Sequence, residues 1–139
     1  MGTIGKDFKY KIIKNFLTSE EIHLLANYCR FKHINNLDSF DDCDPCYNTA
    51  YYCDELFESL LLSKKTIMEK ETNLKLFPSY SYWRMYTNQS DLELHTDRDA
   101  CEISVSVCVE SDGTKWPLIV EGEEINLKEI FNLNVFYTM

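Results

Sequence analysis

The sequence predicts an α+β domain in which N-terminal helices pack on a sandwich or barrel of antiparallel strands. Three observations carry that expectation. Apolar residues recur at helical spacing in two stretches between Thr18 and Thr72. From Ser79 onward the period changes to two. Nine tyrosines and eight phenylalanines favour strands and aromatic-lined pockets over a helical bundle. A chain of 139 residues, 45% hydrophobic and 14% aromatic, fits one domain over residues 1–139 with one core.

The elements follow in order. Tyr10-Lys11-Ile12-Ile13-Lys14-Asn15-Phe16 is predicted as a short strand. Thr18 is then an N-cap, with Glu21 three residues on to complete a capping box. Ile22, Leu25, Ala26 and Cys29 continue at helical spacing, so residues 19–31 form an amphipathic helix. Residues 32–53 lack a period and carry Asn35-Asn36, Asp41-Asp42 and Pro45, which is loop chemistry. A second helix runs over 54–72, with Asp54 and Glu55 at its positive end and Lys64 and Lys65 toward the other. Leu56, Leu60 and Ile67, flanked by Phe57, Leu61 and Met68, supply its buried stripe. Strands are expected over 80–86, 92–97 and 102–110. The last of these has Ile103, Val105, Val107 and Val109 on one face and Ser104, Ser106 and Cys108 on the other, as the wall of a ligand cavity would. Residues 117–120 and 124–127 read as a hairpin turning near Glu121-Gly122, and a further strand begins at Asn134.

Composition narrows function. Acidic residues number 23 against 14 basic, a net charge of -9, which argues against a general nucleic-acid surface. A small-molecule substrate or a basic protein partner fits, and the charge selects neither. The first residues carry no apolar signal core, no long uncharged apolar run crosses a membrane, and the myristoylation pattern fails at Lys6. The expected compartment is the cytoplasm, where the six cysteines are free thiols.

His95-Thr96-Asp97 is the stretch that bears most on chemistry. In an extended segment residues two apart share a side, so an imidazole and a carboxylate enter the same space. They are two parts of the two-His-one-carboxylate set that holds non-haem Fe(II) with positions open for oxygen chemistry. The only other histidines are His23 and His33, both upstream.

Four ordered blocks surround this pair. They are Pro78-Ser79-Tyr80-Ser81-Tyr82-Trp83-Arg84-Met85-Tyr86, then His95-Thr96-Asp97-Arg98, then Cys101-Glu102-Ile103-Ser104-Val105-Ser106, then Trp116-Pro117. With them the chain resembles the 2-oxoglutarate/Fe(II) dioxygenase superfamily, in its prolyl-4-hydroxylase-like branch. Phe16-Leu17-Thr18-Ser19-Glu20-Glu21-Ile22, at the first helix, is similar too. The resemblance implies a double-stranded β-helix (jelly roll, cupin-like) with N-terminal supporting helices. It implies Fe(II) and 2-oxoglutarate as cofactors, with ascorbate as a candidate accessory. His95 and Asp97 would be metal ligands, Tyr86 and Ser104 cosubstrate contacts, and Arg98 a substrate contact or a structural ion pair. The implied reaction hydroxylates a peptide or small molecule while 2-oxoglutarate is decarboxylated to succinate. The family's distal histidine and its 2-oxoglutarate-binding basic residue would follow the strand beginning near Asn134. The sequence ends at Met139 before either, so the expectation is a truncated jelly roll without its final strands.

Plainer readings stand beside these. Tyr86 is otherwise a buried aromatic with a satisfied hydroxyl. Arg98 is otherwise solvated or ion-paired. Cys43-Asp44-Pro45-Cys46 with Cys53 suggests a zinc knuckle or redox pair. A second ligand pair at suitable spacing is missing, however, and ordinary loop thiols are favoured. His23 and His33 read as surface or packing residues. The alternative to an oxygenase is a non-catalytic remnant acting as a binding or interaction domain, prone to self-association through exposed strand edges.

Overall fold

A computed structural model describes residues 10–35, 49–88, 90–115, 117–120, 122–125 and 135–138. The chain is mixed helix and strand, in the order α1 (Ser19–Ile34), β1 (Thr49–Tyr52), α2 (Glu55–Thr72), β2 (Tyr80–Met85), β3 (Ser104–Val105), β4 (Leu118–Val120), β5 (Glu123–Ile125) and β6 (Val135–Thr138). The Cys43–Cys46 motif and Trp116 lie outside the described residues.

The expected capping box opens α1. The Glu21 N–H donates to Thr18 Oγ1 at 3.2 Å, and the Thr18 N–H donates to Glu21 Oε2 at 2.8 Å. The segment before it is not a strand. Asn15 sits at φ 55, a left-handed turn that breaks an extended run and folds Phe16 and Leu17 into the core. Asp54 caps α2, accepting from the Leu56 N–H at 3.1 Å, and Asn73 at φ 55 ends it.

The buried stripe of α2 is Phe57, Leu60, Leu61, Lys64 and Met68. Leu56 and Ile67, expected at its centre, flank it half-buried. Lys64 is tolerated there because its Nζ donates to both Glu21 carboxylate oxygens, at 2.9 and 2.8 Å. That pair ties α2 to α1. Tyr28 and Lys32 of α1 add a second tie through the buried Asp54 carboxylate. Beside it Cys29 is buried, and burial, with the Asp54 charge, pushes its thiol up to about 12.

Four strands form one antiparallel sheet in the order β1-β2-β6-β3, and β4 and β5 form a separate hairpin. Strand β1 falls where the sequence predicts only loop; four residues offer too short a pattern to register. The register Val120↔Glu123 bears out the hairpin, and Gly122 between them sits at φ 81.

Alternation along β2 gives the sheet two unlike faces. Ser81, Trp83 and Met85, paired with Tyr51 and Thr49, face the helices. Trp83 stacks on Tyr51 at 4.8 Å and on Phe57 of α2 at 5.7 Å. The Ser81 N–H and hydroxyl both donate to Glu58 of α2 at 2.6 Å. Tyr80, Tyr82 and Arg84 lie on the opposite face. Along 103–109 the apolar residues also turn to the core, as expected, although only Ser104–Val105 pairs as strand. Among the described residues no helix is long and apolar enough to cross a membrane.

Candidate metal-ligand pair on the tyrosine face

The face away from the helices carries Tyr52, Tyr80, Tyr82 and Arg84, and at its far side Ser104, which shares the partner Thr138 with Tyr80. Residues 91–103 run along this side. Residues 92–97, expected as a strand, form no ladder here. Both edges of β2 are taken by β1 and β6, and the stretch pairs with neither outer strand, β1 or β3.

Side chains hold the segment instead. The Ser104 hydroxyl donates to Asp97 Oδ2 at 2.6 Å. The His95 Nδ1–H donates to the Glu93 carbonyl at 2.8 Å. A carbonyl only accepts, so Nδ1 carries a proton, and in the neutral ring Nε2 is the nitrogen with a lone pair to donate. Nε2 lies 3.7 Å from Asp97 Oδ1, and both side chains reach solvent, at 48% and 36% exposure. Arg98 lies over the rings of Tyr52 and Tyr80, 5.5 and 5.2 Å from their centres. The Cys101 N–H donates to the Arg98 carbonyl at 2.7 Å, and the Cys101 thiol reaches the Tyr80 hydroxyl at 3.5 Å.

His95, Asp97 and Ser104 are therefore brought together. Ser104, expected as a cosubstrate contact, touches the carboxylate of Asp97. Tyr86 is not brought to them. It lies beyond the other end of β2, six positions from Tyr80 and on the order of 20 Å along the chain. There Arg84 sits between the rings of Tyr82 and Tyr86, at 5.2 and 5.7 Å. His33 and His23 belong to α1, on the helical side of the sheet. His33 Nδ1 meets Thr49 Oγ1 at 2.7 Å.

Sequence reasoning missed Tyr52, Tyr80 and Cys101. A signal for Tyr80 was present: Tyr80, Tyr82, Arg84 and Tyr86 occupy alternate positions and so share one side of a strand.

The donor set can be tested against Fe(II). Two ligands about 2.1 Å from one ion and at right angles stand roughly 3 Å apart. The observed 3.7 Å is close to that, and a small rotation of either exposed side chain closes it. One nitrogen and one oxygen suit the metal. Among the described residues, no group of three or more His, Cys, Asp or Glu converges to hold an ion. His95 and Asp97 thus bring one nitrogen and one oxygen donor within 3.7 Å of each other, and no third such side chain joins them among the described residues.

Compared with protein-family models, curated proteins and solved structures, the chain matches none.

Proposed function

We propose that this chain is a 2-oxoglutarate- and Fe(II)-dependent dioxygenase of the prolyl-hydroxylase-like kind, built on a jelly roll, that hydroxylates a peptide or small molecule. One observation carries the reading: both members of the His95–Asp97 pair are oriented by hydrogen bonds that leave one donor atom of each free. Metal-ligating histidines characteristically donate their other N–H to a carbonyl or carboxylate, and ligating carboxylates are themselves hydrogen-bonded. His95 and Asp97 would hold Fe(II), and Ser104 is a positioning residue that fixes which carboxylate oxygen faces it. Fe(II) with 2-oxoglutarate supplies oxygen chemistry that couples decarboxylation to succinate with hydroxylation of a C–H bond, ascorbate serving to keep the metal reduced. Tyr86, the other expected cosubstrate contact, stands past the far end of β2 from Tyr80, beside Arg84.

The cytoplasm is the compartment this reading implies, since Cys29, Cys53, Cys101 and Cys108 are free thiols. Its partners are a small-molecule or peptidyl substrate, with no nucleic acid and no membrane, and strand edges remain a route to self-association.

A second reading has one observation in its favour. His23 and His33 both belong to α1, across the sheet from His95, so neither completes the triad as the chain is folded. The domain would then bind without catalysing.

Succinate formation separates the two. With Fe(II), 2-oxoglutarate and ascorbate, the oxygenase reading expects succinate from the wild type and none from His95→Ala. A folded wild type that forms no succinate, or a His95→Ala variant that forms as much, overturns it.

A further inference from the structure

Arg98 is a cation in an acidic stretch, between Asp97 and Asp99. Among the described residues no carboxylate stands within ion-pair distance of it; its contacts are the two tyrosine rings and the Tyr52 side chain. The rings are 4.8 Å apart and inclined at 48°, and they form one platform. The platform is fixed from both sides. Tyr52 and Tyr80 are strand residues, and the turn closed by Cys101 N–H on the Arg98 carbonyl holds the arginine's backbone over them. The residue is exposed and its guanidinium shares one donor with the Tyr52 hydroxyl, which leaves the rest of the fork for a ligand. Stacking spares the rotamer freedom that a long cationic side chain ordinarily loses when it binds.

We infer that the Tyr52–Tyr80–Arg98 platform holds the carboxylate of a small amino-acid-like substrate beside the His95–Asp97 pair. The inference rests on the oxygenase reading only for calling this ligand the substrate. A planar guanidinium matches a carboxylate through two parallel N–H···O bonds. One guanidinium carries a single positive charge, which suits a monoanionic carboxylate better than a phosphate dianion. Ser104 and Tyr80 share one cross-strand row through Thr138. The Ser104 and Tyr80 backbones therefore stand about two strand spacings apart, roughly 10 Å, and the side chains of the adjacent residues Asp97 and Arg98 lean to these two positions. A small extended molecule anchored at Arg98 reaches the metal pair across that gap. 2-Oxoglutarate keeps a second carboxylate beyond the one that would chelate the metal, so it is the competing occupant that the test must separate from the amino acid.

The test is binding, read by saturation-transfer NMR on the full chain without iron. The probes are the free L-amino acids, their C-terminal amides, and 2-oxoglutarate. At least one free acid should bind, with its amide about tenfold weaker or more. Arg98→Gln should weaken the acid about tenfold or more and leave the amide unchanged. Arg98→Lys, which keeps the charge and loses the fork, should fall between. Equal binding of acid and amide by the wild type overturns the inference, and that comparison needs no variant. So does Arg98→Gln weakening 2-oxoglutarate rather than the amino acid, or binding of no acid at all. Absent succinate formation with the acid preference intact would sink the oxygenase reading alone.

Discussion

The helical layer and the site segment are built by opposite means. In α1, α2 and β2 the backbone is paired in helix and ladder and aromatic rings do the joining: Trp83 between Tyr51 and Phe57, with Lys64 neutralised against Glu21. Residues 91–103 have no ladder. They are pinned by a few side-chain contacts, Asp97 to Ser104, Arg98 to Tyr52 and Tyr80, and Cys101 to Tyr80. Leu94, next to His95, is 97% exposed, which no core segment would allow. The contrast teaches where each kind of substitution should register. Changes in the first region should unfold the protein, and changes in the second should alter ligand affinity on an intact fold.

The largest expected effect is at Trp83, 2% exposed and in contact with both layers. Trp83→Ala should cost about 3–5 kcal/mol, read as a lower midpoint in urea unfolding. A loss under 1 kcal/mol, roughly the level of a surface change, would mean that the two layers are not joined there.

Acid sensitivity should come next. Burial raises the Glu21 carboxyl, but the Lys64 ammonium and the Thr18 donors outweigh it and hold the group below its usual range. A carboxyl depressed in the folded state contributes stability that is present above its unfolded value. That stability is lost as pH falls through the folded value. Unfolding curves from neutral pH down to about 3 should therefore show Lys64→Met losing less stability on acidification than the wild type. Parallel curves would remove Glu21–Lys64 from the account of the helix pair.

The smallest effect on stability should lie in the site. His95→Ala, Ser104→Ala and Arg98→Gln should each shift unfolding by no more than about 0.5 kcal/mol. A cooperative loss of structure in any of them would place residues 91–103 in the core region and erase the contrast.

Local chemistry was legible in the sequence. The Thr18–Glu21 box and the Asp54 cap need only neighbours within four residues, and both stand as expected. The His95–Asp97 pair was visible for the same reason. The stripe of α2 was read without Lys64, which looks like a surface residue until Glu21, from another helix, is beside it. Residues 92–97 alternate like a strand, yet alternation alone does not make a segment join a sheet. The anchors of the site were out of reach. Ser104 to Asp97 and Arg98 to Tyr52 depend on strand order and register, which no local spacing encodes.

Metal binding tests the central claim most directly, that a hydrogen-bonded His95–Asp97 pair holds a divalent ion. Fe(II) would be titrated without oxygen into the wild type, Asp97→Ala and Ser104→Ala, with circular dichroism checking that each is folded. The expected result is saturable binding by the wild type, its loss in Asp97→Ala, and affinity lower by about 10–100-fold in Ser104→Ala. Equal binding by wild type and Asp97→Ala, or none by folded wild type, would contradict it.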